Sequence, residues 1–85
     1  MFSIQYAPSF VRMYKNLPAA LKEEIKESIL LLKDEKNHQQ LKVHKLKGFS
    51  HTYSYSVNYK IRVIFEYGDK KAINILYVGD HDSVY

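Results

Sequence analysis

Residues 52–78, TYSYSVNYKIRVIFEYGDKKAINILYV, decide the fold. From Thr52 to Asn58 the apolar Tyr53, Tyr55 and Val57 alternate with Ser54 and Ser56, the period of a strand with one buried face. From Tyr59 to Tyr67 the alternation continues. Ile61, Val63 and Phe65 share one side, extended by Tyr59 and Tyr67, while Arg62 and Ile64 take the other. Gly68-Asp69 supplies a tight turn. Ala72 to Val78 is nearly all apolar, as expected of a strand inside a sheet. Three consecutive strands close the chain.

Upstream the period changes. Phe2, Ile4 and Tyr6 alternate with Ser3 and Gln5 and predict a short opening strand. Pro8 suits a first helical turn, and Phe10, Val11, Tyr14 and Leu17 follow helical spacing. Asn16-Leu17-Pro18 interrupts, because the residue before a proline resists the α region. A second helix is expected from Pro18 to about Lys36, with Leu21, Ile25, Ile29 and Leu32 on one stripe, broadened by Leu30 and Leu31. Residues 37–42 read as polar linker, and Leu41, Val43 and Leu46 approach Gly48 in an extended or irregular segment. The order β-α-α-β-β-β predicts an α+β fold: a small, twisted, mostly antiparallel sheet with a helical hairpin packed on one face. At 85 residues, residues 1–85 form a single domain with one small core.

Composition narrows the function classes. The chain has no cysteine, which removes disulfides and thiolate metal sites and fits a cytoplasmic protein. Its first residues do not read as a signal peptide, and no apolar run reaches the ~20 residues of a membrane span. The net charge is +4. Five of the nine acids (Glu23, Glu24, Glu27, Asp34 and Glu35) fall in the second helical stretch. Lys36 to Phe65 then holds no acid, while Lys36, Lys42, Lys45, Lys47, Lys60 and Arg62 all lie there. Such asymmetry attracts polyanions, although a solvated basic face with no partner has the same signature.

The last eight residues, Val78-Gly79-Asp80-His81-Asp82-Ser83-Val84-Tyr85, place a titratable histidine and a tyrosine beside that cationic stretch. A proton-transfer pair beside a cationic surface suggests chemistry on a phosphodiester, which needs a base, a cation for the phosphorane and an acid for the leaving oxygen. Arg62 suits the cation, since guanidinium is permanently charged and grips phosphate with a fixed fork. His81 can act as base or acid near neutrality. Tyr85 can donate a proton or stack on a base, and His51 is a second candidate base. Lys45, Lys47 and Lys60 are candidates to hold a nucleic-acid backbone, with Tyr53 and Tyr55 lining the cleft. The spacing of His51, Asp80, His81 and Asp82 matches no metal motif, and no cofactor is implied.

The chain resembles the RelE/ParE superfamily of toxins from type II toxin–antitoxin pairs. The resemblance is carried by Lys45-Leu46-Lys47-Gly48, by Tyr59-Lys60-Ile61-Arg62-Val63-Ile64-Phe65 and by the final eight residues, in the strand–helix–helix–three-strand order. It implies a toxin neutralised by a cognate antitoxin in a hetero-oligomer. For RelE-like members it implies cleavage of mRNA in the ribosomal A site, with mRNA and ribosomal RNA as partners. Arg62 matches the strand arginine of such enzymes and Tyr85 their C-terminal tyrosine. Ser54 and Ser56 stand where RelE carries two catalytic lysines. The likeness is therefore nearer to histidine-using relatives of the YoeB and YafQ type. ParE-like members instead inhibit DNA gyrase without cleaving nucleic acid, and a decayed member acting only in autorepression is a third possibility.

Overall fold

A computed structural model describes residues 1–49 and 51–80; Ser50 and residues 81–85 lie outside the described residues. The opening strand β1 (Ser3–Tyr6) leads into helix α1 (Pro8–Lys15) and helix α2 (Ala19–Leu32). A 3₁₀ turn (Glu35–Asn37) and the short helix α3 (His38–Leu41) precede strands β2 (His44–Lys45), β3 (Thr52–Ser56), β4 (Ile61–Tyr67) and β5 (Ala72–Asp80). The sheet runs β1-β5-β4-β3-β2, with β1 parallel to β5 and the other pairs antiparallel. This is the expected α+β architecture, with two additional short elements, α3 and β2.

Two departures have local physical causes. The second helix ends at Leu32 rather than near Lys36. Asp34 turns extended (φ −103°, ψ 118°), and its carboxylate accepts from the Lys36 backbone N–H at 3.2 Å. A short acid that bonds its own backbone starts a new turn instead of prolonging the old one. The Phe2 N–H takes the Lys33 carbonyl at 2.8 Å, which fastens β1 to the end of α2. His38 reinforces this junction: its Nε2–H donates to the Leu32 carbonyl (2.7 Å), its Nδ1 accepts from the Tyr67 hydroxyl (3.1 Å), and its ring stacks on Phe2. Residues 38–41 are thus helical, not linker.

The hairpin turns also differ. β3 and β4 are separated by residues 57–60, so Tyr59 is in a turn and not on a strand. Between β4 and β5 the left-handed residues are Lys70 (φ 54°) and Lys71 (φ 57°), immediately after the expected Gly68-Asp69 pair. The Ala72 N–H bonds the Asp69 carbonyl at 3.1 Å across this pair. Two consecutive positive φ angles match the twist of the flanking strands.

The core lies between the helices and one face of the sheet. Phe10 from α1 and Ile25, Ile29 and Leu32 from α2 pack with Tyr55, Ile61, Val63, Phe65, Ile73, Ile75 and Val78. One bulge makes this inventory possible. Ile64 pairs with Tyr77 but Phe65 with Ile75, which leaves Leu76 as an extra residue of β5. The extra residue lets Ile73, Ile75 and Val78 all face the helices. The Leu76 carbonyl accepts from the Ser9 hydroxyl at 2.7 Å, so α1 is anchored at the bulge.

Tyr55, assigned above to an RNA cleft, is completely buried among the helices. Its hydroxyl donates to Ser28 Oγ at 2.9 Å, and Ser28 in turn donates to the Ile25 carbonyl at 2.7 Å. The Tyr55 phenol is raised far above its ordinary value by burial, only partly offset by the Ser28 hydrogen bond. Tyr6 and Tyr67 are also raised, again chiefly by burial.

Two predictions follow from this packing. Replacing Lys70-Lys71 with Asn-Gly should raise the unfolding free energy by about 1–2 kcal/mol in urea denaturation, because each left-handed L-residue carries a backbone penalty of that order. An unchanged midpoint would refute the strain. A folded-state phenol pKa above the unfolded value of about 10 stabilises the protein below that pH and loses the contribution as pH rises through it. Stability should therefore fall above about pH 10. Tyr55→Phe should cost about 1 kcal/mol at pH 7 and then show a shallower alkaline loss than the parent; equal slopes would show that Tyr55 is not responsible.

Candidate functional site

The helices cover only one face of the sheet. Register defines what the other face carries, because directly paired residues share a side. Three cross-strand rows follow from the pairing. Ser56, Arg62 and Gly79 form one row; His44, Ser54, Ile64 and Tyr77 form the next; Thr52, Glu66, Asn74 and Gln5 form the third. Adjacent rows are about 6.7 Å apart along the strands. Ser54 and Ile64 form a buried floor in the middle row, whereas His44 and Tyr77 at its ends are exposed.

Arg62 therefore stands on the helix-free face, flanked by Ser56 and Gly79. It is half-buried, and its Nε is shielded from solvent. Partial withdrawal from water strengthens a guanidinium's attraction for an anion relative to a freely solvated one.

His44 is the residue that sequence reasoning passed over. Its Nδ1 lies 3.0 Å from the Lys42 carbonyl, and its Nε2 lies 3.2 Å from Ser54 Oγ. A carbonyl can only accept, so Nδ1 carries the proton and Nε2 of the neutral ring is the acceptor. Lys42 adopts the left-handed conformation (φ 58°, ψ 44°) that closes α3, and presents this carbonyl from there. The ring thus has a defined tautomer, with a basic nitrogen directed at a hydroxyl. A two-residue strand such as β2 has no periodicity to read. The usable signal was the register of β2 on Ser54.

The other expected residues separate into groups. Lys60 is exposed in the turn next to Arg62. Lys47 is exposed in the loop after β2. Lys45 pairs with Tyr53 and therefore lies on the helix side of the edge strand, away from Arg62. Tyr53 is half-buried on that same side, stacked with Phe65 and edge-on to Tyr67 at 4.9 Å, so it does not line the face that holds Arg62. His51 is exposed just before Thr52, whereas Arg62 pairs with Ser56 at the far end of β3. Five residues of strand put these positions on the order of 17 Å apart. His51 and Arg62 are not in one site. His81 and Tyr85 lie outside the described residues; β5 brings the chain to Asp80, opposite Ile61 and next to Arg62.

No protein-family model matches the chain, and no curated protein matches it by sequence. Its three-dimensional likenesses are clear. YafQ from E. coli strain BL21(DE3) superposes with a TM-score of 0.80 at 18% identity, over 100% of this chain and 99% of that one. A chain of the RelB–RelE antitoxin–toxin complex from Methanococcus jannaschii gives 0.76 at 23% identity, over 95% and 94%. A chain of the intact E. coli RelBE toxin–antitoxin complex gives 0.76 at 15%, over 94% and 96%. The chain has the fold of the RelE and YafQ toxins. Among the described residues, no helix is long and apolar enough to cross a membrane.

The imidazole geometry makes a direct prediction. Nitrogen-15 NMR of neutral His44 should show a protonated Nδ1 and an unprotonated Nε2, and Ser54→Ala should shift the Nε2 resonance while leaving Nδ1 protonated. Protonation at Nε2 in the parent would contradict the assignment.

Proposed function

We propose that this protein is the toxin of a type II toxin–antitoxin pair and a ribosome-dependent endoribonuclease that cleaves mRNA in the A site. The observation that carries this reading is the pairing of Arg62 with an oriented His44 on the one sheet face left uncovered by helices. Sheet spacings put their Cα positions about 12 Å apart, a gap that two long side chains and a phosphate between them can span. Arg62 would hold the scissile phosphate and stabilise the charge that develops on it. His44 Nε2 would take the 2′-hydroxyl proton in place of the Ser54 hydrogen bond. Protonation of the leaving 5′ oxygen falls to His81 or Tyr85. With Ser54 and Ser56 in place of the lysines of RelE, Arg62 is the one permanent cation in the cross-strand rows of the described residues, and an imidazole is the candidate base.

The fold neighbours solved as toxin–antitoxin complexes support a cognate antitoxin as partner. A groove of about 300 Å³ lined by Tyr6, Phe10, Val11, Tyr14, Lys26 and Ile29 offers that partner an apolar surface next to the outer edge of β1. An amphipathic helix or an added strand fits such a surface. The groove is on the opposite side of the sheet from Arg62, so an antitoxin seated there leaves the catalytic face to other segments.

The test is primer extension on a defined mRNA with translating ribosomes. Cuts should appear only when ribosomes are present. Arg62→Ala should slow them about 10²–10³-fold, as for loss of one electrostatic stabiliser, and His44→Gln should slow them about 10²–10⁴-fold, as for loss of a general base. Both variants remove groups that are not in the core and should unfold at the parent's temperature. Cleavage at the parent rate in Arg62→Ala would refute the assignment.

A further inference from the structure

Tyr59 is the most exposed of the large apolar side chains among the described residues, at 96% of its full accessibility. Exposed aromatics usually lie down on neighbouring apolar surface. Tyr59 sits instead at the tip of a turn whose backbone is tied down. The Asn58 carboxamide oxygen accepts from the backbone N–H groups of Lys60 and Ile61, both at 2.9 Å. The Asn58 amide donates to Glu24 Oε2 of α2 at 3.2 Å. The Val57 N–H closes the hairpin on the Ile61 carbonyl at 2.8 Å. An Asx turn tied at its root to the helix layer has little freedom to refold its tip. The exposed ring therefore stands on a fixed backbone, three residues from Arg62 and next to the exposed Lys60.

We propose that Tyr59 is a stacking residue whose ring takes an unpaired base of the RNA strand held at Arg62; the proposal rests on the nuclease reading. Glu24 and Asp80 are close to the same turn, so added positive charge does not account for capture at this rim. Stacking suits it, because it needs a π face and no charge, and it is the common means by which proteins grip single-stranded bases. The backbone beneath the ring is already ordered, so binding has only the side-chain rotamer left to fix. The neighbouring Lys60 supplies backbone attraction without sequence information.

Steady-state cleavage on ribosomes tests the idea. Tyr59→Ala should raise KM about 5- to 100-fold, the range for loss of one base–aromatic stack, with kcat within twofold and the thermal midpoint unchanged. Tyr59→Phe and Tyr59→Trp should behave like the parent. Parent-like KM in Tyr59→Ala, together with an inactive Arg62→Ala, would overturn the stacking role and leave the nuclease reading intact. Should the parent not cut ribosome-bound mRNA at all, proton NMR with single-stranded hexauridine or hexaadenosine decides the matter without catalysis. Upfield movement of the Tyr59 ring signals, absent in titrations with free nucleotide-free buffer, supports stacking; unmoved signals at millimolar RNA overturn it.

Discussion

The arrangement of β5 depends on a single extra residue. A strand alternates its side chains strictly, so Ile73, Ile75 and Val78 cannot all face one side without an irregularity between them. The bulge at Leu76 supplies it, and the Ser9 hydroxyl stabilises the displaced carbonyl. The consequences extend across the sheet. With Val78 turned inward beside Val63, Tyr77 and Gly79 turn outward beside Ile64 and Arg62. The core and the candidate site are thus opposite sides of one register.

The strand pattern made most of this fold legible before the structure. The alternation of Ile61, Val63 and Phe65 against Arg62 and Ile64 gave the two faces of β4 correctly, and the alternation in β3 gave those of β3. What misled was chemistry assigned against that pattern. Tyr55 has the same parity as Val57 and Val63, so its burial was implied by the alternation that suggested the strand. The end of α2 was obscured because Lys33 to Lys36 continues an acceptable helix composition, and only the Asp34 side chain competing for the backbone stops it. The turn at Lys70-Lys71 was hidden because lysine is not a residue that favours positive φ. From the sequence His51 was preferred to His44 as a candidate base. Their difference lies in a two-residue edge strand, whose register places one imidazole against Ser54 and leaves the other at the far end of β3.

Serines where the resemblance has lysines change the electrostatics of the face more than its shape. A lysine at position 54 would place a charged amine in a position the structure buries completely, at a substantial desolvation cost. The Ser54 hydroxyl is small enough to be buried and bonds His44 Nε2, which fixes the ring's tautomer. Arg62 stands beside this position with its Nε shielded from solvent.

The helix layer and the helix-free face are also mechanically connected. α1 holds the bulge through Ser9, α2 holds the β3–β4 turn through Glu24 and Asn58, and the end of α2 holds β1 through Lys33 and Phe2. Each tie runs from a helix to a point where the sheet departs from regular pairing. Regular ladder positions are fixed by backbone hydrogen bonds; bulges, turns and strand starts are not, and they are the places where local opening begins. By fastening these three points, the helices stiffen the sheet where it is weakest. For the site proposed on β2 and β4, two strand spacings apart, such stiffness would keep His44 and Arg62 from shearing apart, as proximity catalysis requires.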